Sequence, residues 1–273
     1  MQILRKGSTG PEVAELQTEL KTRGFSPGAI DGRFGAGTEA AILAFQRSES
    51  LLADGVAGAR TLQALGFEEL PAPIDLSIIT IDVASRLFPT TSLDLLKTNL
   101  PIILTSLTDT GIASTEMALM ALSTVRVETG ALKPISEMIS RFNTSPGGHP
   151  FDLYDNRKDL GNEGQPDGER YRGRGFVQLT GRANYTRYSE ALGLGTQLVE
   201  EPDMANEATI AARLLAHFLK DRERNIKEAL VARNFAGARR LVNGGVHGLP
   251  QFSACYTLGE RLLGIEIAVD NDA

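Results

Sequence analysis

Apolar and polar positions alternate with helical spacing along most of the chain. Val13, Leu16, Gln17 and Leu20 share one face, and Gly24 closes that run. Ala41, Ile42 and Phe45 share a second face within Thr38–Gln46. Around the second run lies an internal repeat. Asp31-Gly32-Arg33-Phe34-Gly35, with Thr38 beyond it, recurs as Asp54-Gly55-Val56-Ala57-Gly58 with Thr61. Such a short period marks a duplicated motif inside one small domain. Each unit reads as a glycine-rich turn feeding a helix, with the threonine near the helix start. The glycines serve the turns, while Asp31 and Asp54 fit helix caps as well as they fit ligand-facing positions. The segment EELPAPIDL at 68–76 carries Pro71 and Pro73 and reads as an extended spacer.

From residue 77 the pattern is helical to the end. It predicts helices at about 77–87, 92–106, 114–128, 135–142, 182–192, 206–221, 222–233, 235–242 and 253–268. The longest unpatterned stretch, about 143–175, is rich in Gly, Pro, Asn and Asp. A loop of that length in a compact domain is more often functional than idle. The chain therefore reads as mainly α, with a small three-helix domain at 1–67, a linker at 68–76 and a larger helical domain at 77–273.

The arrangement VxxLQxxLxxxGFxxGxxDGxFGxxTxxAxxAFQ resembles the three-helix peptidoglycan-binding domain common in wall hydrolases. The match spans nearly all of residues 5–66. The resemblance implies binding to the peptidoglycan mesh, with Asp31, Thr38, Asp54 and Thr61 as its candidate residues, and it implies no catalysis.

Composition narrows the remaining choices. A formal net charge of −6 excludes a general nucleic-acid binder, which needs a basic face. Charges balance within residues 1–67, so the acidic excess lies in the remainder. One cysteine, Cys255, allows no intrachain disulfide and fits synthesis in a reducing compartment. The first residues, MQILRKGSTGPEV, lack the apolar core of a secretory leader. No apolar run of about 18 residues is present to span a membrane. These features lead us to expect synthesis in a host cytoplasm, action on the cell wall as a monomer, and delivery through a phage-made holin pore.

Three catalytic classes accompany wall-binding domains. Zinc amidases and peptidases need clustered ligands. The histidines here are His149, His217 and His247, with no HxH or HExxH spacing, so neither a metal nor another cofactor is expected. Cys255 sits in an amphipathic run and reads as a small buried hydrophobe. Glycosidases need only a pair of carboxyl groups. Glu128 ends the predicted helix TEMALMALSTVRVE beside Val125 and Val127. Burial and the negative end of the helix dipole would both disfavour its ionisation, as a general acid requires. Glu137 follows nine residues later. On one continuous helix the two would lie about half a turn out of phase, but Gly130 and Pro134 break the helix between them. A polar, glycine-spaced run, Tyr171-Arg172-Gly173-Arg174-Gly175-Phe176-Val177-Gln178-Leu179-Thr180, is followed by Asn184-Tyr185. Leu241-Val242-Asn243-Gly244-Gly245 ends a later helix.

Together Glu128-Thr129-Gly130, the YxGRGxxQLT run, Asn184-Tyr185, Glu201-Pro202-Asp203 and Asn243-Gly244-Gly245 resemble family 19 glycoside hydrolases, the plant-type chitinases and related phage endolysins. The likeness covers about 115–265, and the GRGxxQLT run is its most specific part. It implies a lysozyme-like helical fold, Glu128 as general acid, Glu137 as the base that activates water, and Thr180 as the holder of that water. It also implies that Gln178, Asn184 and Asn243 contact sugar. Some positions depart from the family. Val127 replaces a common His, and Ala131 replaces a second Gly. With no Trp in the chain, sugar stacking falls to Tyr or Phe, with Tyr154, Tyr171 and Tyr185 as candidates. Asp152, Asp155 and Glu169 stand as alternatives to Glu137. The expectation is an endolysin that hydrolyses β-1,4 bonds of peptidoglycan with inversion. Its rivals are a lytic transglycosylase, a chitinase, and a non-catalytic wall-binding or virion structural protein.

Overall fold

The computed structural model describes residues 3–49, 51–67 and 76–265. These fall into two compact units, one within Met1–Asp75 that also groups Lys227–Asn234, the other holding Leu76–Ile226 and residues from Phe235 onward. The expected linker at 68–76 lies, Leu76 apart, outside the described residues.

Three helices build the first unit: α1 (Pro11–Thr22), α2 (Ala36–Ser48) and α3 (Ala59–Ala64). Their apolar faces, Val13, Leu16 and Leu20 with Ala41, Ile42, Phe45 and Leu62, close one core with Leu4, Phe34 and Leu65. Two glutamines are buried in this apolar setting, Gln17 on α1 and Gln46 on α2. A buried amide is tolerable only when its donors and acceptors are met. Gln17 Nε2 donates to Asp31 Oδ1 (3.1 Å), the Arg33 carbonyl (3.0 Å) and Thr38 Oγ1 (3.1 Å). Its Oε1 accepts from the backbone N–H groups of Asp31 and Gly32. Gln46 repeats the arrangement with Asp54 Oδ1 (2.8 Å), the Val56 carbonyl (2.9 Å), Thr61 Oγ1 (3.1 Å) and the Gly55 N–H (3.0 Å). The sequence repeat is therefore a duplicated glutamine clamp. The hydrogen bond from Gln17 also holds the Asp31 carboxyl below the usual range.

The second unit is helical, comprising α4 (Ile81–Leu87), α5 (Leu93–Asp109), α6 (Thr115–Glu128), short α7 (Asp152–Asp155) and α8 (Asp167–Arg170), then α9 (Arg182–Ala191), α10 (Gln197–Glu200), α11 (Ala208–Lys220), the start of α12 (Glu223–Val231), whose residues from Lys227 are grouped with the first unit, α13 (Phe235–Asn243) and α14 (Leu249–Leu262). Ser114 starts α6 by accepting from the Met117 N–H. Every residue from Met117 to Val125 is buried, so α6 is the central helix. Helix α14 lies along it. Gly259 permits that approach, since a Cβ there would overlap Leu119 Cδ2.

One predicted helix is not formed. Residues 135–142 hold a short strand, β1 (Ile135–Ser136), antiparallel to β2 (Arg174–Gly175), followed by a loop. Gly130 and Leu132 adopt positive φ after α6, and the chain turns instead of resuming a helix. The Glu137 N–H then donates to the Gly173 carbonyl at 2.7 Å, and Asn206 Nδ2 donates to Ser136 Oγ at 2.7 Å. Long-range partners override the apolar spacing of Ile135, Met138, Ile139 and Phe142, which the sequence offers to either conformation. The last helix runs Leu249–Leu262, earlier than the predicted 253–268, and residues 266–268 lie outside the described residues.

Candidate active site

Glu128 is the last residue of α6 and largely buried. Its surroundings are not the apolar ones that Val125 and Val127 suggest. The fully buried guanidinium of Arg239, on α13, donates from Nη2 to Glu128 Oε1 at 2.6 Å. Asn243 Nδ2 donates to the same oxygen at 3.2 Å. Arg239 is itself held by its Nε, which donates to the His247 carbonyl at 3.0 Å. Two donors therefore occupy Oε1, and among the described residues no hydrogen bond reaches Oε2.

Glu137 lies just beyond β1, at the far end of the turn that starts from Glu128. Its Oε1 accepts from Asn143 Nδ2 (3.0 Å) and the Tyr154 hydroxyl (2.9 Å), and its Oε2 accepts from the Gly173 N–H (3.1 Å). Gly173 must be small, because a Cβ there would sit 2.8 Å from Gln178 Oε1 and 3.2 Å from Glu137 Oε2. Burial and the bond to Glu137 push the Tyr154 phenol up to about 12, so it remains a donor at neutral pH.

The alternatives to Glu137 are otherwise engaged. Asp152 accepts from the hydroxyl and the N–H of Ser145, which hold its carboxyl below the usual range. Asp155 is buried between His149 Nε2 (2.9 Å) and the Gly168 N–H (2.8 Å). Glu169 is exposed. The 143–175 stretch is a strapped loop rather than a slack one. Asn162 donates to the Tyr154 carbonyl and accepts from the Arg182 N–H. Asp167 takes two bonds from Arg182, at 2.6 and 2.8 Å. Burial alone would raise Asp167, but those bonds outweigh it and its carboxyl sits below the usual range.

The GRGxxQLT run is a tight turn closed by two backbone bonds between Arg174 and Leu179. Gln178 adopts positive φ there, a conformation that costs a non-glycine residue about 1–3 kcal/mol. Its Nε2 donates to the carbonyls of Ile135 and Gly175, which ties the turn to β1. Thr180 Oγ1 donates to the Gln178 carbonyl (2.9 Å), which leaves its lone pairs free to accept. Asn184 Nδ2 donates to the Thr180 carbonyl (2.7 Å), and among the described residues nothing donates to its Oδ1.

This geometry can be set beside known proteins. Residues 9–65 match the family model described as "Putative peptidoglycan binding domain". A spore cortex-lytic enzyme of Bacillus cereus is 47% identical over 64 residues, 23% of this chain and 25% of that protein. A glycosyl hydrolase family 19 domain-containing protein of Haemophilus influenzae is 29% identical over 104 residues, 38% of this chain and 48% of that protein. The chain thus spans a quarter to a half of the length of these relatives. A bacterial family 19 chitinase structure covers 69% of this chain and 96% of its own, with 21% identity and a TM-score of 0.51. The first unit thus matches a peptidoglycan-binding family model, and the second has a fold similar to that of a bacterial family 19 chitinase.

Within the family 19 fold, two expected sugar contacts need correction. Tyr171 and Tyr185 are buried. The Tyr171 hydroxyl donates to the Val199 carbonyl, and that of Tyr185 donates to the Arg172 carbonyl and accepts from Arg174. Neither ring has a face open to a sugar; both shape the turn from beneath. Tyr154 is half-buried and spends its hydroxyl on Glu137. In the peptidoglycan-binding domain, Thr38 and Thr61 are buried in the glutamine clamps, and Asp31 and Asp54 each give Oδ1 to the same amides. These four side chains hold the turns of the first unit.

Arg239, Asn143 and Tyr154 enter the site as partners of the two carboxylates. Nothing in local spacing marks Arg239, which lies 111 positions from Glu128. Its one sequence cue is a charge on the face of α13 whose neighbour Ala238 is buried. Among the described residues, no three His, Cys, Asp or Glu side chains are grouped to hold a metal, and no helix is long and apolar enough to cross a membrane.

Proposed function

We propose that this chain is a peptidoglycan glycosidase of the endolysin type, with residues 1–67 binding the wall and 77–273 cutting its glycan. One observation carries the reading. Two carboxylates flank a single short turn, and each has one oxygen filled by protein donors while the other keeps acceptor capacity.

In this reading Glu128 Oε2 carries the proton delivered to the glycosidic oxygen as the bond to the anomeric carbon breaks. Arg239 and Asn243 fix Oε1, so the carboxyl cannot rotate away. Glu137 is held by Asn143, Tyr154 and Gly173 with one lone pair of Oε2 left over. It removes a proton from a water that attacks the anomeric carbon from the opposite face, inverting it. Thr180 accepts from that water, while Asn184 and Gln178 contact sugar. The bond cut is a β-1,4 linkage of the glycan strand. Action as a monomer and delivery through a holin pore belong to the same reading. The wall-binding domain keeps the catalytic part near a polymer that offers many sites.

The test is lysis of permeabilised cells together with mass spectrometry of digested sacculi. General acid catalysis contributes about 10²–10⁴-fold, so Glu128→Gln should lose at least that order while sacculus binding persists. Glu137→Gln should also lose activity. Products should carry reducing ends; anhydro sugars would assign the reaction to a lytic transglycosylase. Near wild-type lysis by Glu128→Gln would overturn the proposal.

A further inference from the structure

The loop that follows Glu137 exposes three large apolar side chains in five residues. Met138 is 82%, Ile139 61% and Phe142 74% exposed. The Arg141 guanidinium lies 4.9 Å from the centre of the Phe142 ring and covers one face of it. A scattered exposed apolar residue needs no explanation, but three together do. This loop is also firmly held. Asn143 is fully buried, and its Nδ2 donates to both Glu137 Oε1 and the Met138 carbonyl (2.9 Å), while its Oδ1 accepts from the Ser140 N–H (2.8 Å) and the Thr144 hydroxyl (2.9 Å). One amide thus fixes the carboxylate and the loop to each other.

We propose that Met138, Ile139 and Phe142 form a glycan platform continuous with Glu137, on which an N-acetylated aminosugar of the strand rests on the base side of the cleft. This rests on the glycosidase reading above. Three observations select a sugar as the occupant. The patch is bonded through Asn143 to the carboxylate assigned to water activation. The chain has no Trp, and Tyr171 and Tyr185 are buried, so stacking falls to another ring. Phe142 keeps one face open to the C–H face of a pyranose while Arg141 stiffens the other. A lipid surface is a poorer fit, since membrane-seated loops draw on several basic residues and Arg141 is the one cation within 138–144. Three side chains are also too few for a stable dimer, which uses about 20–30 residues a side.

The test uses the full chain and soluble peptidoglycan glycan oligomers of graded length. Phe142→Ala should raise KM about tenfold on long oligomers with kcat within about twofold, and Met138→Ala with Ile139→Ser should act in the same direction. Phe142→Trp should restore or lower KM, which a purely structural role would not produce. Leu93→Ala, an exposed apolar residue at the start of α5, should leave both constants unchanged. Titration of the same oligomers into Glu128→Gln, with and without Phe142→Ala, should show the loss as affinity alone. Unchanged KM in Phe142→Ala, with wild-type cleavage intact, overturns the platform and leaves the glycosidase reading standing. A parent chain that neither cleaves nor binds the oligomers overturns both. Loss of binding to phosphatidylglycerol–phosphatidylethanolamine vesicles in place of a KM effect assigns the patch to lipid. Concentration-dependent sedimentation abolished by Phe142→Ala assigns it to a second copy.

Discussion

Replacing Gln46 with leucine tests whether the duplicated motif is a clamp or a ligand surface. The variant keeps side-chain size and removes four hydrogen bonds, to Asp54, Val56, Thr61 and Gly55. A typical net hydrogen bond contributes about 0.5–1.5 kcal/mol, and one to a charged group about 1.5–3 kcal/mol. The four together come to roughly 3–7.5 kcal/mol, near 5 at mid-range. Thr61 and Gly55 are buried, but water can reach Asp54 and Val56, and the leucine regains about 1.5–2 kcal/mol of apolar burial. The expected net loss is therefore about 2–4 kcal/mol. For a unit of this size each kcal/mol moves the midpoint by about 4–8 °C. Calorimetry of the full chain should show the transition of the first unit about 10–25 °C lower and that of the second unmoved. Gln17→Leu should do the same, because four of its five bonds match those of Gln46. Asp54→Asn keeps an acceptor oxygen and should cost under about 1 kcal/mol. Measured at low temperature, where every variant is folded, sacculus affinity should follow none of these changes. A Gln46→Leu transition within about 2 °C of the parent would refute the clamp, as would an Asp54→Asn that melts normally but no longer binds sacculi.

Arg239→Met should lower glycan cleavage by about 10–100-fold while sacculus binding holds, because Glu128 Oε1 loses its 2.6 Å partner and keeps only Asn243; activity within twofold of the parent would remove Arg239 from the site. Tyr154→Phe should reduce kcat more than it raises KM, since it frees one side of Glu137, and an effect on KM alone would point instead to a sugar contact. Burial pushes Tyr154, Tyr185 and Tyr188 up from 10.0 to about 12, so the fold favours their protonated forms. The stability this contributes is complete below pH 10 and is lost as pH climbs towards 12. Ultraviolet titration at pH 11 should find Tyr154, Tyr185 and Tyr188 still largely protonated, and ordinary titration of these three would contradict the packing. Exhaustive chelation should leave lysis unchanged, and loss of lysis restored by zinc would transfer the activity to an amidase mechanism.

Helix positions were largely readable, because an amphipathic stripe such as that of α11 or α1 has one way to bury itself. Glu128 could be placed at the end of α6 for the same reason, with Gly130 next to it. The run at 135–142 could not be read in this way. Its apolar residues have helical spacing, yet all four are exposed, and what fixes the backbone is a set of bonds to Gly173 and Asn206 that no local pattern encodes. Tyr171 and Tyr185 show the converse error. A tyrosine beside a glycine-rich turn offers a ring to a ligand or to the core in equal measure, and only packing decides. The aspartates and threonines of the repeat were conspicuous, but the glutamines that organise them looked like ordinary helix-face residues. The partners of Glu128 come from a distant helix, and those of Glu137 from the irregular loop after it and from Gly173, so no helical spacing marks either set.

The span between Glu128 and its guanidinium has a consequence for the order in which the molecule is made. Translation delivers both carboxyls first, and Arg239 and Asn243 arrive 111 and 115 residues after Glu128. Until helix α13 has been synthesised and has docked, Glu128 Oε1 lacks both of its donors. A product that ends between Glu137 and α13, whether a nascent chain or a premature stop, contains the first unit and both glutamates without these two donors. On the glycosidase reading such a fragment should cut glycan more slowly than the full chain, by at least the factor expected of Arg239→Met.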